Sequence, residues 1–315
     1  MLKKLVVVLS LSVALFSFNS VVPSSNFNQA RLLRTLVIDP GHGGIDPGAI
    51  GTSSTEAEIA LNVSMKLGKI IQEEFPDLKI VYTRTSNVLP GNLNNRKEAL
   101  RYRADLANRS KGDLFISIHC NAAGKRPGGW YEKRVKGYTV KTVSVGKGKK
   151  RRKVKKNVPL YENVYVENKA RGTETYVWAA DRSGLKGENI NADEGGENVE
   201  DSANILDFDS PEARIRQQLY TKLYFSNSYR LAQFVEDEFT QAGRASRGVK
   251  QRNNTGIWVL QATGMPSVLV ELGYITNTEE ERYLNSSEGQ GEMVDNLLNA
   301  FKRYKKGMET SPKAK

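Results

Sequence analysis

The segment TLVIDPGHGGIDPGAIG, residues 35–51, decides how this chain folds. Leu36-Val37-Ile38 is a short apolar run of the kind that forms a buried strand, and it predicts a strand over Thr35 to Asp39. The run stops at a turn rich in glycine, with His42 at the junction. The other histidine of this 315-residue chain, His119, has the same setting: it follows Leu114-Phe115-Ile116-Ser117-Ile118 in DLFISIHCNAA. Strand ends in open α/β sheets are where ligands and reactive groups collect. Placing both imidazoles there points to chemistry, and the chemistry that fits is metal binding.

The elements between and after these runs alternate. Thr55-Glu56-Ala57-Glu58 reads as a capping box, followed by Ile59, Val63, Leu67, Ile70 and Ile71 at helical spacing. A strand is expected at Lys79 to Thr83, a helix at Leu93 to Asn108 and a strand at Asp113 to His119. The order β-α-β-α-β predicts an α/β fold: a twisted, largely parallel sheet flanked by helices. Further on, the sequence predicts a strand at Glu174 to Ala180 and a long helix at Gln217 to Phe239. A buried strand is expected at Ser267 to Leu272, helix over most of Glu279 to Tyr304, and a disordered lysine-rich tail at 306–315.

Net charge is +12, which suggests nucleic acid until it is located. Lys125 to Lys156 holds 14 Lys or Arg and one acid, Glu132, so this stretch carries +13 and the remainder −1. The basic character belongs to residues 125–157, read as an extended hairpin or mobile loop inserted in a nearly neutral domain. An anionic envelope polymer and plain solvent are the two environments that suit it. Nucleic acid is excluded if the chain is exported, and the amino terminus reads that way. Lys3 and Lys4 precede the apolar run Leu5 to Phe16, as in a signal peptide over 1–20. The run is too short for a comfortable membrane span, so none is expected after processing. The single cysteine, Cys120, rules out an internal disulfide. Lying next to His119 on a strand, it should point to the opposite face and act as a packing residue.

Zinc in hydrolases is commonly held by two histidines and a carboxylate. Glu56 and Glu58 are the acids next to the first histidine's loop; Glu58 has the capping role, and Glu56 suits either a ligand or the helix dipole. A hydrolase also needs a general base. Glu271 interrupts Val268-Leu269-Val270-Glu271-Leu272, and a carboxylate is buried there only if it is paired or near a metal.

Four ordered blocks now carry a resemblance: VIDPGHGGIDPGAIG, TEAEIAL, DLFISIHCNAA and MPSVLVELGYITN. YTRT at 82–85, Arg96, GTETYVW at 172–178 and SRGVKQ at 246–251 agree with it. The chain resembles the zinc-dependent N-acetylmuramoyl-L-alanine amidases, which cut peptidoglycan between muramic acid and the stem peptide. The resemblance spans 34–305 as one catalytic domain. It departs from the family pattern at Ala57, where a lysine is usual, and at Cys120, where alanine is common. It implies His42, Glu56 and His119 as zinc ligands and Glu271 as the glutamate that takes the proton of water and returns it to the leaving L-alanine amine. It implies an exported enzyme of the periplasm or cell envelope, serving cell-wall turnover or daughter-cell separation. The alternatives are a zinc peptidase of the stem peptide and a non-catalytic wall-binding or regulatory protein on the same fold. Relatives with a long segment before their second half self-inhibit by laying a glutamate on the zinc. Here that region is 185–211, a candidate regulatory segment, with Glu197 the favoured inhibitor among Glu188, Glu194, Glu197 and Glu200. A protein activator would then be a partner.

Overall fold

The computed structural model describes residues 33–179, 186, 211–253 and 256–309. The first strand, β1 (Thr35–Pro40), is buried throughout, as its apolar run requires. Helix α1 (Glu56–Glu74) follows, and its capping box forms as the sequence indicates: Thr55 Oγ1 accepts from the Glu58 N–H, and the Glu58 carboxylate accepts from the Thr55 N–H. Ile59, Val63, Leu67 and Ile71 line its buried face. Strand β2 (Lys79–Tyr82), helix α2 (Arg96–Arg109) and strand β3 (Leu114–Asn121) complete the first half. Both β2 and β3 pair in parallel with β1, one on each side. Strand order therefore reverses at β1, which makes the carboxyl ends of β1 and β3 the topological switch point where sites form.

The second half widens the sheet. Strand β8 (Ser267–Tyr274) lies parallel to β3, and β6 (Thr173–Val177) runs antiparallel to β8. Strand β7 (Ser246–Gln251) closes the edge parallel to β6, giving the order β2-β1-β3-β8-β6-β7. The sheet is thus mostly parallel, as expected, with one antiparallel junction. Helix α3 (Pro211–Gln241) begins six residues before the start its sequence pattern indicates. It is pinned to the sheet by buried Glu236, which accepts from the hydroxyls of Thr173, Thr175 and Ser246. A short helix, α4 (Trp258–Ala262), leads into β8.

The C-terminal helical stretch is two helices, α5 (Thr278–Asn285) and α6 (Ser287–Glu309), parted at extended Ser286. Helix α6 overruns the expected disordered tail as far as Glu309, where Lys305 pairs with Glu309 and also lies over the Phe75 ring. The larger core joins one sheet face to α1, α3 and α6 through Ile38, Ile59, Ile118, Val270, Leu297 and Phe301 among others. Cys120 is in this core, on the face away from His119, as strand alternation requires.

Residues 125–157 fall largely within an extended hairpin, one of the two expected forms. Strands β4 (Gly129–Val145) and β5 (Arg152–Glu167) make an antiparallel ribbon apart from the main sheet. Residues 1–20 and Glu188, Glu194, Glu197 and Glu200 lie outside the described residues. Lys186 is described: its fully buried ammonium donates to the Leu260 carbonyl and to the hydroxyls of Thr263 and Ser267.

Candidate metal centre

The turn after β1 is built to throw an imidazole back over the sheet. His42 adopts φ 57°, a left-handed conformation uncommon outside glycine. Gly43 and Asp46 exchange backbone hydrogen bonds of 2.8 and 3.0 Å, closing the turn. Buried arginines brace it from behind. Arg84 donates to the carbonyls of Pro40, Gly41 and Ala57, tying the end of β1 to the first turn of α1. Arg103 donates to the His42 carbonyl and pairs with buried Asp39. Burial opposes ionisation of Asp39, but the Arg103 charge and hydrogen bonds from Thr83 and Ser117 outweigh it and lower its pKa.

Three of the expected site residues converge here. The Glu56 carboxylate lies 3.1 Å from His42 Nε2 and 2.7 Å from His119 Nδ1. One donor atom from each residue falls within a 4.8 Å cluster. The two rings stand edge to face, 5.0 Å between centroids. Zinc ligands at bond lengths of about 2.0–2.1 Å in a tetrahedron sit about 3.3 Å apart, close to these spacings. Glu58, the competing acid, stays in the capping box and is exposed.

Two glycines make the approach of these side chains feasible. A Cβ on Gly41 would stand 2.4 Å from His119 Cε1, and one on Gly48 would stand 2.5 Å from Glu56 Oε2. Glu56 is further oriented by the Ala49 N–H at 2.7 Å and the Cys120 N–H at 3.1 Å. Burial alone would raise its pKa, yet the hydrogen bonds and charges of both imidazoles hold it far below the usual range. Burial disfavours His42 as a cation, but Glu56 and Asp46 prevail and raise its pKa. A buried anion facing two imidazole nitrogens is a donor set suited to a divalent cation that accepts N and O ligands, so the residues fit zinc.

Asp46 escaped the sequence reading. Its Oδ2 lies 2.9 Å from His42 Nδ1, fixing the ring so that Nε2 faces the cluster, and Arg96 stands 3.7 Å from its Oδ1. A carboxylate behind a metal-bound histidine is a recurrent device for ring orientation. The His-x-x-x-Asp spacing in the opening segment was the only available signal.

Glu271 takes the place directly across from His119 in the β3–β8 ladder, and Glu174 stands across from Glu271 on β6. Residues opposite one another share a face, with Cβ atoms about 5 Å apart. Glu271 is 8% exposed, and its Oε2 has no hydrogen-bond partner among the described residues. Burial first, and then the negative charge of Glu56, push its pKa up to about 8, with Arg252 opposing. Glu174 is occupied: it accepts from Tyr176, Tyr274 and Arg247 at 2.7, 2.8 and 2.6 Å. Burial is outweighed by those bonds, which keep it ionised. Neither Glu174 nor its partners carried a signal stronger than their place in GTETYVW, SRGVKQ and MPSVLVELGYITN.

Residues 36–303 match the family model described as N-acetylmuramoyl-L-alanine amidase. The chain belongs to this family. It is 26% identical over 271 residues to N-acetylmuramoyl-L-alanine amidase AmiC of Escherichia coli, covering 85% of this chain and 52% of that protein. It is 27% identical over 261 residues to probable N-acetylmuramoyl-L-alanine amidase AmiB of Haemophilus influenzae, covering 80% of this chain and 48% of that protein. The chain spans about half the length of these two curated relatives. Among solved structures it is similar in fold to the CwlD amidase of Clostridioides difficile, solved in complex with the GerS lipoprotein. The TM-score is 0.53 at 20% identity, over 86% of this chain and 98% of that one. The amidase family is zinc-dependent, and the His42, Glu56 and His119 cluster fits a zinc site. Among the described residues no helix is long and apolar enough to cross a membrane.

Proposed function

We propose that this chain is an exported peptidoglycan hydrolase that cuts the amide between N-acetylmuramic acid and L-alanine, in cell-wall turnover or daughter-cell separation. The observation that carries the reading is buried Glu271, whose Oε2 has no hydrogen-bond partner among the described residues, on the same sheet face as a three-residue cluster that fits zinc. Zinc held by His42, Glu56 and His119 would supply Lewis acidity and lower the pKa of water.

The chain's own groups do the rest. Asp46 holds the His42 ring, while Arg84 and Arg103 hold the backbone under it. Glu271, with no hydrogen bond to its Oε2 among the described residues, is free to take a proton from water and deliver it to the departing L-alanine nitrogen. Tyr176, Tyr274 and Arg247 keep Glu174 engaged beside it, so Glu174 does not compete with the reacting carboxylate.

The variant that tests the role is Glu271→Gln. It is expected to bind zinc at parental stoichiometry and to lose roughly 10²–10⁴-fold in turnover of purified sacculi, the range of general acid–base catalysis. Parental turnover by the zinc-loaded variant would remove Glu271 from the mechanism. An activator acting through 185–211 and an anionic envelope polymer on the β4–β5 ribbon are the partners this reading proposes.

A further inference from the structure

The β4–β5 ribbon has two unlike faces. Register places Tyr131 with Tyr165, Val135 with Tyr161 and Tyr138 with Pro159. A bulge between Val135 and Gly137 shifts β4 by one residue, so Tyr138 joins the same face as Tyr131. Tyr131, Tyr138, Tyr161 and Tyr165 are 72, 68, 60 and 54% exposed, beside exposed Val135 and Val140. Tyr131 and Tyr165 meet edge to face at 5.4 Å. The other face carries Trp130, Val143, Val154, Val158, Val164 and Val166, all half-buried. A two-stranded ribbon is marginal in water, and one leaving four tyrosines uncovered carries them for contact.

Charge is also divided along the ribbon. The acids sit near the root: Glu132 with Lys125 and Trp130, Glu162 with Lys136, and Glu167 with Lys169. From Tyr138 to Asn157 there are nine Lys or Arg and no acid. Such a run repels itself and is relieved by a polyanion.

The root ties the ribbon to the metal site. His119 lies near the end of β3, ten residues before β4 begins; Gly128 donates to the Thr276 carbonyl at 3.0 Å, and Ala123 donates to the Thr276 hydroxyl at 3.0 Å. Thr276 follows β8, the strand of Glu271. With 17 residues at about 3.3 Å each, β4 reaches about 55 Å from that root.

We propose that the ribbon is a second peptidoglycan-binding surface, its tyrosine face stacking on sugar rings and its acid-free end taking stem-peptide carboxylates, so that a strand lies along it toward the site. This rests on the amidase reading. A membrane meeting the cationic tip would leave the tyrosines nearer the root unused, whereas a glycan strand running toward the cut engages both.

Two variants of the full zinc-loaded chain test it: K149Q/K150Q/R151Q/R152Q/K153Q at the tip and Y131S/Y138S/Y161S on the face. Pelleting with purified sacculi on ice reads binding. Turnover of soluble muropeptides, released from sacculi by a glycosidase, reads the amidase separately. Each variant is expected to lose at least tenfold in sacculus affinity and to keep soluble turnover within twofold of the parent. The parent is expected to bind sacculi more tightly than phosphatidylglycerol vesicles or single-stranded DNA. Parental sacculus affinity in either variant, or tighter parental binding to the vesicles or the DNA, overturns the proposal. A parent that pellets but leaves the soluble muropeptides uncut overturns the amidase reading instead.

Discussion

Glu281 holds the loop that leads into the zinc site, and replacing it with glutamine should loosen the whole entry to α1. Its carboxylate accepts from the backbone N–H groups of Thr52, Ser53 and Ser54 at 2.9, 2.8 and 3.0 Å and from all three hydroxyls. Thr55 and Glu56 follow at once. Burial would raise the Glu281 pKa, but the Thr52 hydroxyl and the Ser53 and Thr52 N–H groups hold it at about 2 against an ordinary value of 4.5. The folded pKa is the lower one, so the charge stabilises the fold above pH 4.5, and that stabilisation is lost as pH falls from 4.5 toward 2. At about 1.4 kcal/mol per pKa unit, the contribution at neutral pH is about 3 kcal/mol. Glu281→Gln puts an NH₂ among donors, so the variant should melt roughly 6 °C below the parent at pH 7, taking about 2 °C per kcal/mol for a domain of this size. Urea titrations of the metal-free proteins from pH 7 to pH 3 are the assay. The parent–variant gap should be constant above about pH 5 and shrink to less than half by pH 3. A gap that stays constant to pH 3, or a glutamine variant as stable as the parent, would refute the assignment of this stability to the buried charge.

Other consequences follow from the same geometry. Asp46→Asn keeps the shape but presents an amide to the ring that Asp46 orients; zinc affinity measured by competition with a chelator should fall about 10–100-fold, with the fold unchanged by circular dichroism. Parental affinity would make Asp46 a bystander. Removing 187–208 while sparing buried Lys186 should raise basal turnover of sacculi if that segment restrains the site; unchanged turnover in a folded variant argues against restraint.

What the sequence disclosed depended on burial. β1, β3 and β8 announce themselves because both their faces are covered and most of their residues are apolar. α1 is legible to the residue because its capping box is local. The start of α3 is hidden because Ile215, Leu219 and Leu223 stay exposed, so the first turns lack a buried stripe. The break at Ser286 is invisible for the opposite reason: apolar spacing carries on across it while one extended residue redirects the chain. β7 is an edge strand without an apolar run, and the ribbon has no buried face to impose strict alternation. At the site, His42, His119 and Glu271 stood out against apolar or glycine-rich surroundings. Asp46 and Glu281 look like ordinary surface acids in sequence, and only the folded turn shows one behind an imidazole and the other inside a ring of N–H donors.

The central claim is the bond that is cut. Mass spectrometry of sacculi digested with the zinc-loaded protein, with and without a chelator, tests it most directly. The account predicts intact stem peptides with a free L-alanine amine, glycan bearing the lactyl carboxylate, and no release once the chelator is present. Peptides cut within the stem, or release that persists with the metal removed, would contradict it.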